Sequence, residues 1–262
     1  MAVLRTVKAG RFGAVCDDAP VAPPTDPLAP IVALPGVAAA VERARDALVG
    51  LHNHPVNRRG WPASAAEAGL RAARASAVLD GAPPIRPDEA AAGPVLAGAV
   101  RVAEEQGRLL GVWRTSPLQA LARLHVLAAA DLAPEPDLGR PRPGVAGRVA
   151  LLADLVTGGT AAPAPVVVAI VHGELLTLAP FGSADGVVAR AAGRLTAVAT
   201  GLDPKGLAVP EVGHLRRQRE YRETAAAFAS GTADGVAAWV RHCCAQWEAG
   251  AREGRSIAEA RT

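Results

Sequence analysis

The chain has 262 residues, half of them apolar, and carries 28 basic against 25 acidic side chains for a net charge of +3. So many apolar residues can bury a core, which excludes disorder over the whole length and suits one domain with an appended arm. Only Lys8 and Lys205 are lysine. Arginine in their place, with alanine, glycine and proline in excess, reads as codon bias of a GC-rich bacterial genome, so the arginine excess is discounted as evidence for nucleic acid, which is not the expected partner.

Residues 1–31 hold a Pro-rich end and read as a weakly ordered arm and linker, with the folded domain over 32–262. A helix is predicted over 37–49, where Val41, Ala44, Leu48 and Leu51 share a face. The next spans 64–79, with Ser64 and Glu67 as a capping box and Gly81 as the stop. After a loop at 82–87 come a helix over 88–112 and another opened by Ser116-Pro117, running to about 130. Residues 131–147 are rich in Pro and Gly and read as a loop or a short hairpin. A short helix covers 148–156, and a long apolar one starts after Pro165 and ends at Leu178. A loop at 179–186 leads into a helix over 187–200, and two more span 212–229 and 233–251. In the last, Val236, Trp239, Val240, Cys243, Cys244 and Trp247 fall on one face. No strand alternation or internal repeat is visible, so the fold class is all-α.

Three cysteines exclude a disulfide framework, and their placement (Cys16 alone, Cys243 beside Cys244) suits a reducing compartment. No apolar run reaches the roughly 18 residues that a membrane span needs; the longest, 161–171, is broken by Pro163 and Pro165. The N-terminus has no apolar h-region of a signal peptide. The expectation is a soluble, cytoplasmic protein that makes no use of a membrane.

The informative stretch is 166–195, which reads as helix, tight loop, helix. A loop ending at a helix N-terminus presents unpaired N–H groups and a positive dipole end, a ready anion site. Gly182 and Gly186 would let its backbone turn tightly.

This stretch resembles the Fic (Fido) family, whose motif is written HPFx(D/E)GNGRxxR and has a further His seven residues upstream. Aligned without gaps, His172 is the upstream His, and the motif becomes Ala179-Pro180-Phe181-Gly182-Ser183-Ala184-Asp185-Gly186-Val187-Val188-Ala189-Arg190. Pro180, Phe181, Gly186 and Arg190 match; Ala179 replaces the catalytic His, Asp185 the Asn, and Val187 the first, phosphate-holding Arg. Leu124-His125 is similar to the family's Leu-His helix before its flap. Ser76-Ala77-Val78-Leu79-Asp80-Gly81 resembles the inhibitory motif (S/T)xxxE(G/N), with Asp80 for the Glu. The resemblance spans about 64–200, with the motif-bearing core at 115–200. It implies a Fic/Fido-like helical bundle with a short β-hairpin flap, and a pairing of Asp80 with Arg190.

The departures decide the expected chemistry. In the family the His is a general base that activates a target hydroxyl for attack on the α-phosphate of ATP; a positioned base contributes about 10² to 10⁴ in rate, and Ala179 has no titratable group. Val187 brings no charge to phosphate, and Asp185, read as a helix cap, competes with phosphate for the loop's N–H groups. Proline in 131–147 cannot donate to the strand ladder by which the family's flap docks its targets. The expected function is a pseudoenzyme without AMP transfer that serves as a binding or regulatory scaffold for a protein partner, with no resident cofactor. ATP and Mg would bind only to a still competent loop. The alternative is an active nucleotidyltransferase, or a transferase of another phosphate-containing group, in which Asp185 or His172 is the surviving acid–base group.

The remaining candidates have plainer readings. His172 is a core or helix-pairing histidine, and Asp80 with Arg190 a structural ion pair. His52 and His54 lack further metal ligands at suitable spacing. His242-Cys243-Cys244 lies on an apolar face as core. The basic run 214–219, flanked by Glu211, Glu220 and Glu223, is a solvated helix face.

Overall fold

A computed structural model describes residues 26–84 and 93–261. Among them the chain forms twelve α-helices, one 3-10 turn and no strand. The helices are α1 (Ala29–Val32), α2 (Val37–His52), α3 (Pro55–Arg59), α4 (Trp61–Leu79), α5 (Pro94–Thr115) and α6 (Pro117–Ala129). The second half gives α7 (Ala146–Val156), α8 (Ala164–Leu178), α9 (Asp185–Ala199), α10 (Pro210–Arg216), α11 (Gln218–Ala229) and α12 (Ala233–Glu259).

Many of these helices start on a proline in the first turn: Pro55, Pro62, Pro94, Pro117, Pro165 and Pro210 each occupy the first or second position. A first-turn residue has no intrahelical acceptor for its N–H, so proline costs nothing there and presets φ. This overrides the capping box read at Ser64 and Glu67: α4 starts earlier, at Trp61-Pro62. Ser64 is buried inside it without a partner for its Oγ, and Glu67 pairs with Arg71.

Helices α8 and α9 pack against each other at the centre and are buried on nearly all faces. α12 runs along α2, α8, α10 and α11; α5 and α6 pair, and α4 bridges α5 to α10. The six apolar residues read onto one face of α12 are all buried. That helix continues past 251 because Gly250 and Gly254 let it cross close to the 207–210 segment; a Cβ at Gly250 would lie 2.6 Å from the Pro210 nitrogen. The continuous helix expected over 212–229 is broken at Arg217, whose φ of −120° and ψ of 40° separate α10, packed on α4 and α12, from α11, packed on α12 and α8.

Residues 1–25 of the expected arm, and the start of the helix read at 88–112, lie outside the described residues. Residues 26–31 of that arm are packed into the body: Leu28 is fully buried, and Asp26 accepts from the Thr160 hydroxyl (2.7 Å) and from the Ala161 N–H. Between α6 and α7 the Pro-rich segment is a loop with one 3-10 turn at Glu135–Asp137, not a hairpin. No described helix is long and apolar enough to cross a membrane.

Candidate functional site

α8 ends at Ala179, which takes a left-handed backbone (φ 45°), and Ala184 does the same (φ 51°) just before α9. A non-glycine residue pays about 1–2 kcal/mol for that conformation, so the loop 179–184 is held by its surroundings. Phe181 stacks on His125 of α6 with the ring centroids 4.2 Å apart. The His125 tautomer follows from its partners. Nδ1 accepts from the Gly139 N–H (2.9 Å), so Nε2 carries the proton and donates to the Ser183 hydroxyl (3.0 Å). Burial lowers the proton affinity of His125, with the Ser183 backbone acting against it. Across the loop the Arg142 N–H donates to Pro180 O (2.7 Å), and its guanidinium caps the carbonyls of Leu178 and Ala179. The Pro-rich segment is thus stitched onto the loop through Gly139 and Arg142.

Two carboxylates meet the N–H groups of this loop and of α9. Asp185 does not cap the helix as the sequence suggested. It is the first residue of α9, and its carboxylate turns back to accept from the N–H groups of Phe181 (2.9 Å) and Gly182 (2.7 Å). Burial raises its proton affinity, the loop N–H groups and Arg142 oppose that, and the neighbouring Asp80 adds to it. Asp80, at the end of α4, accepts from the Val187 N–H (2.9 Å) and from the Arg190 guanidinium (2.6 Å). Gly186 makes the approach possible, because a Cβ there would overlap the Asp80 carboxylate.

Arg190 is buried and makes four hydrogen bonds. Its Nε donates to Ser76 Oγ (2.7 Å), and its terminal nitrogens donate to Ser76 O (3.0 Å), Asp80 and the Tyr221 hydroxyl (3.2 Å). Burial alone would weaken its hold on the proton, but Tyr221 and Asp80 outweigh that and keep it charged. The structure therefore brings Ser76, Asp80, Gly186, Val187 and Arg190 into one contact, with Phe181, Gly182, Ser183 and Asp185 in the next turn of chain. Gly81 follows Asp80 in the turn that ends α4, with φ of 94°.

His172 stands apart from the loop. It is buried against Tyr221 (Nε2 to hydroxyl, 2.9 Å), and its ring meets those of His214 and Trp239 edge-on. Burial, then Arg190 and His242, push its proton affinity far down, so the ring is neutral. The sequence missed the company it keeps: His214, placed on a solvated face, is buried, and so is His242. Arg216, Arg217 and Arg219 of the same run are exposed. Burial also pushes the Cys243 and Cys244 thiols up, Cys244 to about 12, so neither is a thiolate at neutral pH. His52 is tied to Asp203 (2.8 Å), and among the described residues no group of three His, Cys, Asp or Glu is arranged to hold a metal ion.

No family model and no curated protein matches this sequence. Among solved structures, the chain is similar to the crystal structure of a Fic family protein from Desulfovibrio desulfuricans G20. The TM-score is 0.62 at 20% identity, over 85% of this chain and 74% of that one. At that identity the likeness shows a shared fold.

Proposed function

We propose that this chain is a Fic-type protein with an eroded and closed nucleotide site, inactive in AMP transfer, that works as a binding or regulatory scaffold. The observation that carries the reading is the state of the N–H groups that would hold phosphate. Those of Phe181 and Gly182 are satisfied by Asp185, and that of Val187 by Asp80. An incoming phosphate would have to displace both carboxylates while being repelled by them. The gain on offer is small, because Val187 supplies no charge and Arg190 is already spent on Asp80, Ser76 and Tyr221. With Ala179 at the base position, the 10²- to 10⁴-fold contribution of a positioned base is also gone.

The test is calorimetric titration with ATP, with and without Mg²⁺, on the wild type and on Asp80→Ala, together with an assay for AMP transfer. The expected result is no heat of binding and no transfer by the wild type. Stoichiometric transfer by the wild type overturns the reading. Micromolar binding that appears only in the variant would mean that the loop is closed rather than lost.

One observation favours the alternative of an active transferase: burial raises the proton affinity of Asp185 against the pull of the loop N–H groups, and under that reading Asp185 would be the acid–base group at the loop. His172 does not serve that reading, since it is buried, neutral and bonded to Tyr221. If Asp185 is the working group, Asp185→Asn abolishes a modification that the wild type performs.

A further inference from the structure

Two hydrogen-bonded chains run through the packing of α8, α9, α10, α11 and α12. In the first, Arg190 N–H donates to the Tyr221 oxygen (3.2 Å) and the Tyr221 hydroxyl is hydrogen-bonded to His172 Nε2 (2.9 Å). In the second, the Glu220 carboxylate accepts from His242 Nδ1 (2.9 Å), which leaves His242 Nε2 to accept from His214 Nδ1 (3.1 Å). The chains touch side by side. The His214 ring lies 4.6 Å from that of Tyr221 and 5.3 Å from that of His172, and His242 lies 5.2 Å from His214. Three of the six histidines thus share one buried cluster with Tyr221 and Trp239.

We propose that α11 is a proton-released cover, detached when the His172–His214–His242 cluster takes up protons, and that its departure withdraws the Tyr221 hydroxyl holding Arg190 from behind.

Among the described residues the charged and titratable groups facing the cluster are Arg190 from α9, Glu220 and Tyr221 from α11, Arg217 at the break before it, Cys243 from α12, and Asp80 at the end of α4 through Arg190. Among the described residues the carboxylate bonded to the cluster is Glu220, at the solvent edge and shared with Arg217. A proton entering the closed cluster would set a second positive charge beside Arg190 in a dry environment. Burial accordingly pushes His172 and His214 far down and lowers His242, so all three are neutral while the cover is shut. Once α11 lifts, the rings meet water and titrate near the ordinary value of about 6.5. Groups depressed in the closed form support closure above that value and lose it as pH falls below. Each proton taken up shifts the balance toward the lifted form about ten-fold per pH unit.

α11 is the element built to leave. It has twelve residues, of which only Tyr221, Ala225 and Phe228 are buried. It is bounded by the break at Arg217 on one side and by the turn at Gly231 (φ 71°) on the other. A short helix with three buried side chains and a hinge at each end opens at far lower cost than the core pair α8 and α9. This inference rests on packing and does not depend on the nucleotide reading.

The experiment is hydrogen exchange by mass spectrometry on the full chain between pH 7.5 and 5.5, with rates corrected for intrinsic exchange. Protection over 218–229 is expected to fall at least ten-fold between pH 6.5 and 5.5, while 187–199 in α9 stays protected. The slope is expected to flatten in His242→Gln and in His214→Phe. Protection of 218–229 that is independent of pH, an equal loss over 187–199, or an unchanged slope in folded variants would overturn the proposal. Should neither variant fold, NMR titration of the wild-type histidines decides. Cluster resonances that stay neutral until 218–229 loses protection support it; titration near 6.5 with α11 still protected refutes it.

Discussion

Asp80→Ala removes the carboxylate bonded to a guanidinium that has 3% of its side chain exposed. The variant loses the 2.6 Å ion pair to Arg190 and the acceptor for the Val187 N–H, while Arg190 keeps Ser76 and Tyr221. Removing one partner of a buried pair typically costs 3–5 kcal/mol, because the other charge is left uncompensated. Asp80 is 20% exposed on its side chain, so water can enter its place, and the three bonds that remain on Arg190 soften the loss. The expected destabilisation is therefore about 2–4 kcal/mol. That is a large fraction of the 5–15 kcal/mol a domain usually has. The assay is urea unfolding followed by far-ultraviolet circular dichroism. Asp80→Asn, which keeps an acceptor but not the charge, should fall between wild type and Asp80→Ala. Adding Arg190→Met to Asp80→Ala should cost less than the sum of the two single changes by at least about 1 kcal/mol, since the stranded charge is then gone. A loss below about 0.5 kcal/mol in Asp80→Ala would refute the reasoning; the contact would then be no stronger than an exposed ion pair.

Two further substitutions test neighbouring steps. Gly186→Ala places a Cβ onto the Asp80 carboxylate, so it should destabilise by about as much as Asp80→Ala, roughly 2–4 kcal/mol. In the Asp80→Ala background the same change should turn favourable by about 0.5–1 kcal/mol, the ordinary helix preference of Ala over Gly; the same cost in both backgrounds would mean that Gly186 serves something other than the Asp80 contact. Glu174 is buried on α8, bonded to Arg148 through one oxygen and unpartnered at the other, and burial raises its proton affinity against the pull of Arg148. A carboxyl raised in the fold disfavours folding as pH climbs from its unfolded value of about 4.3 through the raised one. By that linkage Glu174→Gln should be more stable than wild type at pH 7 and lose the advantage below pH 4. A variant less stable than wild type at pH 7 would show that the pair with Arg148 outweighs its desolvation.

What was legible in the sequence was each helix's own inward face, because that follows from spacing alone. The α12 residues 236, 239, 240, 243, 244 and 247 are buried as their period requires, and Ser116-Pro117 marks the start of α6 where proline chemistry puts it. What was not legible is which inward faces meet, and both findings at the centre of the molecule are of that kind. Asp80 and Arg190 are 110 residues apart, and no local pattern pairs them; only the resemblance placed them together. The direction of the Asp185 carboxylate was equally hidden: its position at the start of α9 is that of a capping side chain, and only the turn made by Ala179, Gly182 and Ala184, each with positive φ, points the loop N–H groups back at it. His172, His214 and His242 show the limit most sharply. They sit on three helices, and read one at a time they are a core histidine, a member of a basic run and a residue beside two cysteines. Burial of any one of them is an ordinary packing event, costing a proton that the fold does not need. It becomes a shared property only when three rings touch and the nearest fixed charge is Arg190, because each then raises the cost of charging the others. That coupling is a fact about the meeting of α8, α10 and α12, and a search for such sites must begin from helix contacts rather than from motifs.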